Sequence, residues 1–177
     1  FGRNLISNIG GSAAIAETNF GTLGLRDGTS EMDEAALAAV NLPQPRAGTQ
    51  YEAWLLGENG EKRVSLGLLS LDADGRGQIT FLDNAGRNLL AGFDSFEITV
   101  EPNPDSDPGP SETVVFSSIL PPQALVHLRH LLVAFSAAPD QIGLAVGLER
   151  QAKSLDAAAQ AMLAAQQSGD PAAMQRS

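Results

Sequence analysis

Cysteine is absent from all 177 residues, which removes disulfides, thiolate metal sites and thiol catalysis from consideration. Lysine is nearly absent too. Lys62 and Lys153 are the only two, and the formal net charge is -10. Such a chain presents a solvated anionic surface and repels a phosphate backbone, so nucleic acid is not an expected partner. No apolar run approaches the roughly 20 residues that span a bilayer. The start, Phe1-Gly2-Arg3, has neither an initiating Met nor the shape of a signal peptide. The chain therefore reads as processed or cut from something longer, and tethering to a membrane, or assembly there, would come through parts outside it. Also missing are a Gly-x-x-x-x-Gly-Lys phosphate loop and a Gly-x-Ser-x-Gly nucleophile elbow. No enzyme is expected.

The hydrophobic content, 43%, is enough to build a core, and from Thr18 onward it is written in short β-like runs separated by turn residues. Seven runs can be counted, at 19–26, 34–42, 50–56, 64–71, 77–82, 93–100 and 112–119. The second is Ala-rich and helix-prone by propensity. Pro43 and Pro45 close it after nine residues, which favours a strand. In the sixth, Phe96, Ile98 and Val100 alternate with Glu97 and Thr99, predicting one buried and one wet face. Asp72-Ala73-Asp74-Gly75 reads as a hairpin turn joining the fourth and fifth runs. Residues 1–17 show neither period and read as a linker or tail. The expected fold class is mainly β: an Ig-like antiparallel sandwich of about seven strands over 18–120.

After Leu120-Pro121-Pro122 the pattern becomes helical. Leu125, Leu128, Leu132 and Phe135 lie 3, 4 and 3 residues apart, giving a first helix of about 14 residues. A second helix beyond Pro139 carries a seam of Ala145, Leu148, Ala152, Leu155, Ala159 and Met162, whose small residues suit close approach of another helix. An α-helical hairpin over 121–177 is the expectation. Pro171 then reads as the start of a third helix that stops short. Charge marks the same division: residues 1–120 hold 7 Lys and Arg against 17 Asp and Glu, whereas 121–177 hold 4 against 4.

Several β segments together resemble a known family. Tyr51-Glu52-Ala53-Trp54-Leu55-Leu56, Ser65-Leu66-Gly67-Leu68-Leu69, and Phe96-Glu97-Ile98-Thr99-Val100-Glu101-Pro102, followed by a Pro-rich loop and Val114-Val115-Phe116-Ser117, look like the extracytoplasmic C-terminal domain of anti-sigma-K factors, the RskA-like group. The resemblance covers about 18–120. It implies a bacterial domain outside the membrane, cell-surface or secreted, with no known chemistry and a protein partner. In such proteins a separate cytoplasmic segment holds the sigma factor, and that segment is not in this chain. The helical part lies outside the family pattern and is similar to a tail found after such sandwiches in some bacterial surface proteins.

His127 and His130, the two histidines, stand at i and i+3 on one side of the first helix, a spacing compatible with joint ligation of a metal or haem. Two ligands fall short of a zinc site, and surface or interface histidines are the plainer reading. No cofactor is expected. Asp72-Ala73-Asp74-Gly75 imitates the opening of a calcium loop, with Asp83 at the twelfth place, but in a β setting. Asp105 and Asp107 suit a solvated loop tip, and Tyr51 and Trp54 suit the core over an exposed aromatic patch. The functions this supports are a protein-interaction or sensor module linked to anti-sigma-type signalling, a structural subunit of a surface assembly, or a metal or haem protein through His127 and His130.

Overall fold

A computed structural model describes residues 4–10 and 19–168. The chain divides into two compact units, Phe1–Leu125 and Val126–Ser177. The first is a mainly β sandwich, and helices follow it. All seven expected strands are present, as β2 (Asn19–Arg26), β3 (Glu34–Ala39), β4 (Thr49–Gly57), β5 (Lys62–Leu69), β6 (Gly77–Leu82), β7 (Ser95–Pro102) and β8 (Val114–Ile119). An additional strand, β1 (Asn4–Gly10), lies in the segment expected to be a linker and pairs with β2 from Asn4↔Arg26 to Gly10↔Asn19. The amino-acid pattern of this segment has no clear period, and the backbone ladder to β2 is what makes it a strand.

The two antiparallel sheets run β1-β2-β3-β6 and β5-β4-β7-β8. β3 shows why its alanines form a strand: Ala35, Leu37 and Ala39 are buried and alternate with half-buried Glu34, Ala36 and Ala38. Leu23 and Leu25 continue that inward row on β2, opposite Leu37 and Ala35. The facing row comes from Tyr51, Ala53 and Leu55 on β4, Phe96 and Ile98 on β7, and Phe116 on β8. Phe20 meets Phe116 across the gap at 5.8 Å between ring centroids, tilted as aromatic pairs prefer.

Two further sequence expectations change within the sandwich. β5 and β6 do not form a hairpin, because they belong to different sheets, and residues 70–76 carry the chain across the sandwich. The Asp-rich segment still makes a tight turn there. Asp72 Oδ1 accepts from the amides of Asp74 and Arg76, both at 2.9 Å, so its carboxylate is spent on the backbone. The face of β7 expected to be wet is closed in part: Thr99 is fully buried and Glu101 is 1% exposed, whereas Glu97 on the same face stays half-buried. Between β6 and β7 the short α1 (Leu89–Gly92), capped by Asn88, pushes Leu89 and Leu90 into the interior.

In the helical region, α2 (Pro122–Leu132) and α3 (Leu144–Ser168) are joined by a segment with a 3-10 turn at Pro139–Gln141. Gly143 donates to the Val133 carbonyl at 3.1 Å, and a Cβ at Gly143 would fall 2.5 Å from the Leu131 oxygen. Only a glycine lets α3 begin so close to the end of α2. Beyond that point the expected tight pairing along the Ala/Leu seam is not formed: Leu148 is 72% and Leu155 73% exposed. α2 has 11 residues and α3 has 25, about 16 Å against about 37 Å, so length leaves the far half of α3 without a counterpart but does not account for Leu148. None of these helices is long and apolar enough to cross a membrane. The incipient helix after Pro171 lies outside the described residues.

Candidate functional site

Three features of the sandwich carry polar chemistry, and each begins from a local sequence reason. The first is the outer face of the second sheet. Trp54 and Glu97 are paired across β4 and β7, as are Glu52 and Thr99, which puts the indole beside the threonine. Trp54 Nε1 donates to Thr99 Oγ1 at 3.0 Å, and Thr99 Oγ1 in turn donates to Glu101 Oε1. The Pro-rich loop returns over this row. Ser111 donates its amide to Glu101 Oε1 at 2.9 Å and its hydroxyl to the Val100 carbonyl at 2.9 Å. A buried carboxylate is tolerated because hydroxyl and amide donors replace water.

The second feature is a pair of loops at one end of the sandwich. Asp33, fully buried, accepts from the Gly28 amide at 2.7 Å, the Thr29 hydroxyl at 2.8 Å and the Ser30 amide at 2.7 Å. Burial works to raise its pKa, but these donors outweigh burial and hold the carboxyl below its ordinary value. In the other loop Asp83 accepts from Arg87 Nε at 2.8 Å, Nη2 at 3.1 Å and the backbone amide at 2.9 Å. The Arg87 fork is the main reason its carboxyl is held low, against burial. Backbone bonds from Asp83 to Asp33 and from Leu89 to Met32, both 2.8 Å, tie the loops together.

The third is a cavity of about 420 Å³ on the outer face beside β8, lined by Leu56, Asp94, Ser95, Glu97, Ser117 and Ile119 among others. Pro122 and Leu125 form its apolar wall. None of the described residues lining it is basic. Among the described residues β8 is an edge strand, and the cavity opens beside it.

His127 and His130 are exposed on α2, with ring centroids 6.5 Å apart, and His130 stacks obliquely on Phe135 at 5.1 Å. Among the described residues no group of three or more His, Cys, Asp or Glu is placed to hold a metal. Asp105 and Asp107 accept from the amides of Asp107 and Gly109 in successive turns at the exposed loop. Tyr51 and Trp54 are both buried, as core residues. Sequence reasoning did not mark Glu101 or Asp94 as site residues, and placed Glu97 only on the wet face of its strand. The one available signal for Glu101 was its place directly before a Pro-rich loop that could fold back.

Two antiparallel sheets, tied loops at one end and a cavity beside an edge strand define a small β-sandwich domain. A family model described as the C-terminal domain of the anti-sigma-K factor rskA matches residues 17–114, more than half of the chain and strands β2 to β7 of the sandwich, and the chain belongs to that family. It is thus a domain of an anti-sigma-factor-related, regulatory family. No curated protein and no solved structure shows significant similarity to it.

Proposed function

We propose that the sandwich is a non-catalytic, extracytoplasmic protein-interaction or sensor module of anti-sigma-type signalling. The observation that carries this reading is the family match, 17–114, which takes in β2 to β7 with the loop pair and the buried polar row. The polar groups described above are spent on structure: Asp33, Asp83 and Glu101 each accept hydrogen bonds from neighbouring loop residues. A module built this way transmits a binding event through loops held in fixed positions.

The lack of cysteine makes the compartment directly testable. Ser106→Cys, in the exposed loop, introduces a single thiol. In intact cells of the producing bacterium a membrane-impermeant maleimide labels it if the domain lies outside the cytoplasmic membrane. Labelling only after lysis would reject the extracytoplasmic reading. A second reading, a structural subunit of a surface assembly, is favoured by the exposed Leu148, Leu155 and Met162 on α3. Light scattering separates the two, because a chain that stays monomeric at every concentration is no assembly subunit on its own.

A further inference from the structure

The open edge of β8 and the cavity beside it carry the argument furthest. β8 has one ladder neighbour, β7, among the described residues, and its sequence, Val114–Ile119, contains no charge and no proline. Natural edges are usually blunted by such residues. The opposite edge of the same sheet, β5, begins with Lys62 and Arg63. On β8 the exposed outer side carries Val115 and Ile119, the latter 70% exposed. β1 of the other sheet comes close to β8 but does not pair with it.

We propose that this edge and cavity form a docking groove for an extended, basic segment of a protein partner, added to the sheet as a strand next to β8. The register supplies the specificity. Trp54, Glu97 and Ser117 form one cross-strand row on the outer face. A residue added opposite Ser117 extends that row and stands two strand spacings, about 10 Å, from Glu97. Ser117 is small, so a Lys or Arg side chain passes over it and meets the Glu97 carboxylate, which accepts no hydrogen bond from another described residue. Asp94 lines the same cavity, its Oδ1 taking the Ser95 hydroxyl at 3.1 Å. Two residues along, the added strand lies opposite Ile119, where an apolar side chain matches the wall of Leu120, Pro122 and Leu125. Main-chain bonds then give affinity and the alternate pockets give selectivity. The surplus of ten acidic charges in residues 1–120 attracts a basic segment over longer range.

This rests on the interaction reading above, and its test fails separately. The probe is a fluorescent peptide, acetyl-Thr-Val-Thr-Arg-Thr-Val-Thr-amide, titrated into the full chain by anisotropy and by amide chemical shifts. The expected result is binding that perturbs the amides of β8 and of Asp94–Glu97, weakens about threefold in Glu97→Gln, and disappears when the Arg is replaced by Glu or the peptide backbone is N-methylated. Absence of binding, or equal affinity for Glu97→Gln and for the N-methylated peptide, overturns the groove. A Ser106→Cys chain labelled only after lysis overturns the extracytoplasmic reading and leaves the groove standing.

Discussion

Thr99 holds two groups that would otherwise be stranded. Its hydroxyl accepts from the Trp54 indole and donates to Glu101, and none of the three is more than 3% exposed. Thr99→Val keeps the shape but leaves a buried N–H and one side of a buried carboxylate unpartnered, at a cost of about 3 kcal/mol. Thr99→Ser keeps the hydroxyl and loses only a methyl group, about 1 kcal/mol. Urea unfolding followed by the fluorescence of the single Trp, itself in the network, measures both. Equal losses for the two variants would mean that packing, not the hydrogen bonds, holds this row. Little of this could be read from the residues themselves. The alternation of Phe96, Ile98 and Val100 correctly fixed which side of β7 faces the core, yet a period of two says nothing about a loop that comes back, through Ser111, to cover the other side.

The same limit applies to the elements. Strand β3 was legible because Pro43 and Pro45 bound it and the strand pattern follows at once. The β5–β6 hairpin was misjudged because an Asp-Gly turn looks alike whether it joins neighbours in one sheet or crosses to the other. β1 and α1 escaped notice, one for lack of side-chain period and the other because four residues are too few to show one. The loops that hold Asp33 and Asp83 carry a pH dependence. Both carboxyls sit below their ordinary 3.8 in the folded chain, Asp33 through Thr29 and two amides against its burial, Asp83 through Arg87. Their folded forms are therefore still ionised where the unfolded chain has begun to take up protons, so they stabilise the fold above pH 3.8 and lose that contribution as pH falls through the folded values. Acid titration of the urea midpoint checks this: the double variant Asp33→Asn/Asp83→Asn starts less stable at neutral pH and falls less steeply below pH 4, about one pH unit being enough to see the difference. The Asp83 share should shrink in salt, because the Arg87 side chain is 58% exposed. An unchanged acid slope would assign the acid sensitivity to other carboxylates.

Across the whole molecule, charge and fold divide the chain in step. The family match, the sheets and the acidic excess all belong to the first unit, whereas residues 121–177 are balanced in sign. Self-repulsion therefore burdens the sandwich and spares the helices. Raising salt from about 0.01 M to about 0.15 M shortens the screening length from about 30 Å to about 8 Å. That relieves repulsion among exposed carboxylates spread over the sandwich while leaving the short, buried contacts of Asp33 and Glu101 almost untouched. If relief amounts to about 1 kcal/mol, the sandwich's thermal midpoint rises by about 4 °C. Two signals in the full chain separate the units: Trp54 fluorescence follows the sandwich, and helical circular dichroism is dominated by α3, with 25 residues. The fluorescence transition should move to higher temperature with salt and the helical transition should stay. An equal shift of both would show that the two units unfold as one, and that the acidic excess of the sandwich is felt through the entire chain.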